Sequence, residues 1–168
     1  MNYPIFLIGF MASGKTSKGK NIARKMEIPF IDLDRVIEEQ EKQTITDIFE
    51  TKGESYFRKL EAKILRQFPK DLKAVIAVGG GAPCFYDNIQ YMNYLGTSVF
   101  LKRSKQRILG RLRQNKDKRP LVAKLNDQEL KDFIEQGLAN RNSFYEQAEF
   151  IFDADEQKIN KLIAVLTN

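Results

Sequence analysis

Gly9-Phe10-Met11-Ala12-Ser13-Gly14-Lys15-Thr16 decides the fold, because it fits the phosphate-binding pattern G-x-x-x-x-G-K-[ST] directly after the apolar run 5–8. Gly9 and Gly14 let the backbone curl, so that successive N–H groups point inward at phosphate oxygens. Lys15 can reach the β- and γ-phosphates, and the Thr16 hydroxyl can ligate magnesium. The stretch therefore predicts a binding site for a nucleoside triphosphate between a strand and a helix.

Length and composition predict one domain that spans residues 1–168. Of the 168 residues, 42% are hydrophobic and 30% are charged, which is ordinary for a soluble globular protein. No apolar run approaches the length that spans a bilayer, and the N-terminus does not resemble a secretory leader. A single cysteine, Cys84, rules out an internal disulfide and suits a reducing cytoplasm.

The absence of histidine and the distribution of positive charge exclude several kinds of catalytic and binding site. The chain contains no histidine, which removes serine–histidine and cysteine–histidine nucleophiles and every histidine-containing metal site. The net charge of +6 comes from scattered residues without an RNA-binding signature, so no nucleic-acid partner is expected. Small anionic ligands explain the positive charge at least as well, and phosphoryl transfer needs little beyond positioning and charge neutralisation.

Apolar runs alternate with segments of helical periodicity. Short unbroken runs, typical of strands buried on both faces, lie at 5–8, 29–31, 74–78, 98–101 and 150–152. The helical segments are 17–26, 36–40, 46–51, 56–68, 88–94, 105–114, 127–140 and 156–166. This alternation predicts an α/β/α sandwich with a five-stranded parallel sheet and ligands at its carboxyl edge.

Residues 115–126 do not fit the alternation. This stretch is basic and carries only scattered apolar residues, which predicts a mobile surface loop. Long loops within compact domains are usually disordered or functional, and a basic one beside a nucleotide site suggests a lid over the phosphates.

Two carboxylates, Asp32 and Asp34, follow the second apolar run. If the strand continues through them, both side chains fall on one side of it. They could then divide the work, one acting on magnesium through water and the other accepting a hydrogen bond from an acceptor hydroxyl. The alternative is that Asp34 only caps the next helix.

Other candidate ligand-binding groups are the triple glycine Gly79-Gly80-Gly81 and two arginines, Arg58 and Arg141. Three glycines after a strand leave the backbone bare for close approach of a ligand, although a flexible turn would look similar. Arginine offers a planar fork for a carboxylate or phosphate, but a lone arginine is more often a solvated helix residue.

Taken together, these motifs resemble the shikimate kinase family of P-loop kinases. The resemblance runs nearly end to end. It comprises the glycine-rich loop, Asp32-x-Asp34, Phe57-Arg58-x-x-Glu61, Gly79-Gly80-Gly81, Arg119-Pro120-Leu121 and Arg141-x-x-x-Tyr145. It implies the sheet order 2-3-1-4-5, a monomer, and transfer of the γ-phosphoryl group of ATP to the 3-hydroxyl of shikimate with magnesium.

The resemblance also implies roles for individual residues. Asp34 would orient or deprotonate the acceptor hydroxyl, and Thr16 and Asp32 would hold Mg2+, the latter through water. Lys15 and the lid residue Arg119 would neutralise charge on the transferred group. The ATP site would comprise Ala12, Ser13, Gly14, Lys15, Thr16, Ser17, Arg111 and Arg119, and the shikimate site Asp34, Arg58, Gly79, Gly80, Gly81 and Arg141.

Two positions depart from the family pattern. Ala12 stands where the family usually has glycine, a change that fits if its backbone has negative φ. Val78 stands where a serine or threonine is common, which removes a hydroxyl that could hold a magnesium-bound water.

Three other functions fit parts of the sequence less well. A kinase of another small acceptor, such as gluconate or a nucleoside monophosphate, shares the P-loop and lid but should not need the arginine pair with the triple glycine. A GTP-dependent switch needs Asn-Lys-x-Asp, and Lys118 stands in place of that aspartate in the sequence 115–118. A nucleic-acid-binding protein would interleave aromatic residues with its basic ones, which this chain does not.

Overall fold

The strands and helices alternate along the chain as predicted. The structure is a computed structural model that describes residues 2–116 and 119–167. The strands are β1 (Ile5–Ile8), β2 (Phe30–Asp32), β3 (Val75–Ala77), β4 (Thr97–Lys102) and β5 (Phe150–Asp153). The helices are α1 (Lys15–Met26), α2 (Leu33–Glu41), α3 (Ile45–Leu65), α4 (Asn88–Leu95), α5 (Lys105–Gln114), α6 (Pro120–Ala123), α7 (Asp127–Tyr145) and α8 (Ile159–Thr167).

All neighbouring strands run parallel, in the order β2-β3-β1-β4-β5. Alternate residues of β1 point to opposite faces of the sheet, as strand geometry requires. Ile5 and Leu7 belong to a core with α1 and α8, whereas Phe6 and Ile8 belong to a larger core with α2, α3, α4, α5 and α7. The predicted three-layer sandwich and sheet order are confirmed.

The glycine-rich loop joins β1 to α1 as the motif predicts. Gly14 precedes the first helical residue, Lys15, and has φ 101°, a left-handed conformation that glycine adopts without steric cost. The amino end of α1 therefore opens into the loop, where its unpaired N–H groups and helix dipole favour an anion.

The prediction for Asp32 and Asp34 was partly wrong. β2 ends at Asp32, and Asp34 lies in the first turn of α2, so the two side chains do not share one face of a strand. Asp32 also takes the capping role that was weighed for Asp34, because its Oδ1 accepts a hydrogen bond from the Asp34 N–H at 3.2 Å. Asp34 is consequently free of the cap and half-buried.

Helix α3 covers the two helices expected at 46–51 and 56–68, which meet at a kink. Its start is fixed by a capping box in which Thr44 and Asp47 exchange hydrogen bonds. The helix is interrupted at Gly53, whose φ of 79° and ψ of 167° are not helical. The interruption changes the direction of the chain just before the turn that carries Arg58.

Residues 115–126 are not wholly irregular. Pro120 begins α6, a single turn in which the side chain of Val122 is fully buried while Leu121 is 68% exposed. Proline at the first helical position fits this start. Asp117 and Lys118 lie outside the described residues, so the mobility of this stretch and the argument from Lys118 against a GTP switch stay sequence-based predictions.

The condition under which alanine would fit at position 12 without strain, a negative φ, is not met. Ala12 has φ 60°, in the left-handed region where a Cβ atom crowds the following carbonyl group. The departure from the family glycine therefore places backbone strain inside the phosphate-binding loop.

Within residues 2–116 and 119–167, no helix combines the length and apolar character needed to cross a bilayer.

Ala12→Gly should stabilise the protein by about 0.5–1 kcal/mol, because relief of the left-handed strain exceeds the added flexibility of the unfolded chain. Urea denaturation of both proteins measures the difference in the free energy of unfolding. Ala139→Gly is the matched control, since Ala139 is exposed within α7 and the change should cost about 1 kcal/mol. Equal destabilisation by the two substitutions would contradict the assigned strain.

Candidate active site

A cleft of about 610 Å³ lies at the carboxyl edge of the sheet, where β1, β2 and β3 end. Almost all of the predicted site residues line it: Ala12, Gly14, Lys15, Thr16, Ser17, Asp32, Asp34, Arg58, Gly79, Gly80, Gly81, Arg111, Arg119 and Arg141. The exception is Ser13, whose side chain is only 1% exposed and whose Oγ has no hydrogen-bond partner among the described residues. Its backbone N–H also donates to the carbonyl group of Phe10 at 3.2 Å, so the contact of Ser13 with a nucleotide stays a prediction.

The side chains of the cleft carry more positive than negative charge. The positive groups are Lys15, Arg58, Arg111, Arg119 and Arg141, and the carboxyl groups are Asp32, Asp34 and Glu61. Such an excess suits anionic ligands.

The two ends of the cleft are named after the ligands that the sequence predicts there. The nucleotide end is lined by Thr16, Asp32, Arg111 and Arg119, and the acceptor end by Arg58, Gly79, Gly80, Gly81 and Arg141. Lys15 lies between these two ends. Its Nζ donates hydrogen bonds to the carbonyl groups of Gly9 at 2.7 Å and Phe10 at 3.0 Å. Burial lowers the pKa of Lys15 to about 8, while the nearby charge of Asp34 opposes this shift and that of Arg119 adds to it. Lys15 is therefore still mostly protonated at neutral pH, and an anionic ligand beside it would raise its pKa again.

Thr16 and Asp32 form a pair of oxygen donors at the nucleotide end. The Thr16 hydroxyl donates to Asp32 Oδ2 at 3.4 Å, a long hydrogen bond between groups that begin α1 and end β2. Hydroxyl and carboxylate oxygens are ligands that magnesium accepts, directly or through its waters. This pair is the part of the cleft that fits a magnesium ion.

Two arginines approach the nucleotide end from the far side of the cleft. Arg111 of α5 donates from Nη1 to the carbonyl oxygen of Ala12 at 3.0 Å. Arg119 precedes α6, and burial together with the charge of Arg111 lowers its pKa. Both guanidinium groups therefore lie in one positive region beside the loop.

The triple glycine is packed against charged side chains. A Cβ atom on Gly79 would lie 2.9 Å from Glu61 Oε1 and 3.1 Å from Asp34 Oδ1. On Gly81 it would lie 2.5 Å from Arg58 Nη2. A side chain at Gly79 or Gly81 would therefore displace the charged groups of Glu61, Asp34 or Arg58, whereas at Gly80 the nearest atoms are 3.4 Å away. At Gly79 and Gly81 glycine thus allows close packing in addition to a flexible turn.

Arg58 is held by two glutamates and is not the solvated helix residue that local sequence allows. It is 8% exposed, and it donates from Nη1 to Glu61 Oε2 at 2.9 Å and from Nε to Glu54 Oε1 at 3.2 Å. Its guanidinium carbon also lies 4.6 Å from the centroid of the Phe85 ring. The side chain is therefore preorganised at the acceptor end of the cleft.

Arg141 and Tyr145 reach the same end from the last turns of α7, which extends beyond the predicted 127–140. The Arg141 guanidinium carbon lies 5.4 Å from the centroid of the Phe10 ring, so α7 packs directly on the glycine-rich loop. The Tyr145 hydroxyl donates to the carbonyl group of Gly80. One helix thus contacts both the loop after β1 and the triple glycine after β3.

Two of the carboxyl groups have pKa values above their ordinary range. Burial, reinforced by the charge of Asp32, raises the pKa of Asp34, while Lys15 opposes the shift. Burial raises the pKa of Glu61 to about 7 despite its pairing with Arg58. Glu61 is fully buried, and its Oε1 has no hydrogen-bond partner among the described residues.

Sequence reasoning assigned no role to Glu61 or to the apolar wall of the cleft. That wall comprises Ile45, Phe49 and Phe57 of α3, with Leu121 of α6. The three-residue spacing of Arg58 and Glu61 on one helix could have indicated their ion pair. The wall gave no comparable signal, because aromatic residues on a helix are usually part of a core.

Known proteins are similar to this chain in both sequence and fold. The sequence model of the shikimate kinase family matches residues 11–167. A curated shikimate kinase from Bacteroides thetaiotaomicron is 48% identical over 152 residues, which are 90% of this chain and 87% of that protein.

Solved structures agree with this match. A crystal structure of shikimate kinase from Bacteroides thetaiotaomicron has a TM-score of 0.89 at 45% identity, covering 97% of this chain and 95% of that chain. Shikimate kinase from Acinetobacter baumannii in complex with shikimate has a TM-score of 0.82 at 30% identity, covering 97% of this chain and 89% of that chain. The resemblance read from the motifs is confirmed, and the chain belongs to the shikimate kinase family.

Proposed function

We propose that this chain is a shikimate kinase that transfers the γ-phosphoryl group of ATP to the 3-hydroxyl group of shikimate. Its products are then shikimate 3-phosphate and ADP. The observation that carries the proposal is one cleft with a P-loop lysine, Lys15, at its centre and with the buried Arg58 and the half-buried Arg141 beside a triple glycine at one end. Such a cleft can hold a triphosphate and a small carboxylate side by side.

The nucleotide end binds ATP through Lys15, Arg111 and Arg119 and through the backbone N–H groups of residues 12–17 other than Ser13, whose N–H donates to the carbonyl group of Phe10 at 3.2 Å. Two of the three N–H donors of Lys15 are directed at loop carbonyl groups, and the third can be donated to a phosphate oxygen. Arg119 stands at the start of α6, where closure of residues 115–126 would bring it against the γ-phosphate and exclude water. Lys15 and Arg119 stabilise the negative charge that builds up as the phosphoryl group is transferred.

Magnesium would be held by the Thr16 hydroxyl and, through water, by Asp32. When bound, the ion supplies charge neutralisation and alignment of the phosphate oxygens. Val78, which lines the cleft and is 2% exposed, contributes no hydroxyl to this arrangement. Asp32 is therefore the side chain proposed to hold a water of the ion.

The acceptor end binds the shikimate carboxylate between Arg58 and Arg141, with the backbone of Gly79, Gly80 and Gly81 lining the pocket. Arginine forks match a carboxylate in both charge and shape. The apolar wall suits the carbon ring of shikimate, while polar groups of the cleft can form hydrogen bonds with the shikimate hydroxyl groups. Recognition of both features discriminates shikimate from acceptors that lack either one.

Asp34 accepts the proton or hydrogen bond of the reacting hydroxyl. Its raised pKa brings it closer to neutral pH, where a general base is most effective. Lys15 lies close enough to influence that pKa, so Asp34 stands where the acceptor end meets the phosphate end. This position is the one that in-line transfer to an acceptor hydroxyl requires.

We further expect a monomer that acts in the cytoplasm without a nucleic-acid partner. Family resemblance supports the monomer and the compartment, and the scattered positive charge supports the lack of a nucleic-acid partner.

Arg141→Ala should raise the KM for shikimate strongly and leave the KM for ATP nearly unchanged. Loss of one charge-assisted hydrogen bond costs about 1.5–3 kcal/mol, which corresponds to a rise of at least about tenfold. Steady-state kinetics with each substrate varied in turn measure the split. Lys131→Ala, an exposed charge removal on the same helix, should change neither value. An unchanged KM for shikimate in Arg141→Ala would refute the carboxylate clamp.

Glu61 controls how much of the Arg58 charge is available to the substrate, because ionised Glu61 neutralises it and protonated Glu61 does not. Its pKa is about 7 in the folded chain against an ordinary value of 4.5. Because Glu61 binds its proton more tightly in the folded chain than in the unfolded chain, protonation of Glu61 adds to the free energy of unfolding. This contribution is fully present below pH 4.5 and is lost as the pH rises through about 7.

Glu61→Gln should remove this pH dependence. The stability of the natural protein relative to the variant should fall by on the order of 3 kcal/mol between about pH 4.5 and about pH 8. Denaturant titrations across that range measure the difference. Glu54→Gln, which changes the exposed partner of the same arginine, is the matched control. A flat difference for Glu61→Gln would show that Glu61 titrates normally.

A further inference from the structure

Arg103 joins the glycine-rich loop to the segment after β5. It follows β4, and its side chain is 10% exposed. Its Nε donates to the carbonyl group of Ser13 at 3.1 Å, its Nη1 to Asp155 Oδ1 at 2.9 Å, and its Nη2 to the carbonyl group of Ala154 at 3.4 Å. A single guanidinium group therefore bridges segments that are far apart in sequence.

The hydrogen bond from Arg103 to Ser13 satisfies a carbonyl oxygen of the phosphate-binding loop. When the N–H groups of such a loop point inward at an anion, carbonyl groups point outward and need donors of their own. Arg111 supplies a donor to Ala12, and Arg103 supplies one to Ser13. The two arginines thus hold consecutive peptide units, including the one strained at Ala12.

Asp155 fixes the direction of the Arg103 side chain. Its Oδ1 accepts from Arg103, and its Oδ2 accepts from the backbone N–H of Ser104 at 2.8 Å. Ser104 is in turn the N-cap of α5, the helix that carries Arg111. The carboxylate also offsets the repulsion that Arg111 and Arg107 exert on Arg103.

We propose that Arg103 is a positioning residue for the nucleotide, which holds the Ser13 peptide so that the loop N–H groups are preorganised for the phosphates. The inference rests on the proposed ATP site. Arg103 acts through the loop and not by contact with the acceptor end, so its removal weakens nucleotide binding selectively. A loop that must be ordered on binding loses affinity for ATP and ADP but not for shikimate.

Kinetics and calorimetry of Arg103→Gln test this proposal. The variant should raise the KM for ATP and the Kd for ADP on the order of tenfold, and leave the KM for shikimate unchanged. Arg103→Lys, which keeps the charge but cannot bridge all three partners, should recover part of the loss. The matched control is Arg113→Gln, which removes an exposed arginine of α5 that pairs with Asp127 and should leave all three constants unchanged.

Unchanged nucleotide constants in Arg103→Gln, or a parallel rise in the KM for both substrates, would overturn the proposal. If Arg103→Gln fails to fold, Asp155→Asn releases the guanidinium group while keeping the side-chain shape, and the same split in constants is expected. Failure of the proposed function is separate from these outcomes. It would appear as a natural protein without shikimate-dependent turnover, in which the ADP titration still tests Arg103.

Discussion

Backbone hydrogen bonding in the loop between β1 and α1 is the constraint on which the rest of the structure depends. Its N–H groups can face a triphosphate only if its carbonyl groups find other donors. Lys15 supplies them to Gly9 and Phe10, and Arg111 and Arg103 supply them to Ala12 and Ser13. The loop is thus shaped by side chains from α1, α5 and the end of β4.

The two ends of the cleft depend on each other through α7. Arg141 of this helix packs over the Phe10 ring, and Tyr145, one turn later, binds the carbonyl group of Gly80. Gly137 lets the helix approach this closely, because a Cβ atom there would lie 2.6 Å from the Phe10 ring. The acceptor arginine is therefore positioned by the same loop that is proposed to bind the phosphates.

Local patterns predicted most of the fold and much of the site, because buried parallel strands and a P-loop leave strong signals in sequence. The strand order came only from family resemblance, since periodicity does not encode which strands are neighbours. The positive φ of Ala12 and the cap formed by Asp32 depend on backbone geometry that residue type does not fix. The contact of Arg103 with Ser13 spans 90 positions, and no local pattern encodes it.

The central claim is that the cleft pairs ATP with shikimate and not with another small acceptor. A coupled ADP-release assay with ATP and magnesium tests this most directly when shikimate is compared with gluconate, nucleoside monophosphates and no acceptor. The account predicts saturable turnover with shikimate alone. Turnover with one of the other acceptors, or none with shikimate, would contradict the assignment of Arg58, Arg141 and Asp34 to the acceptor.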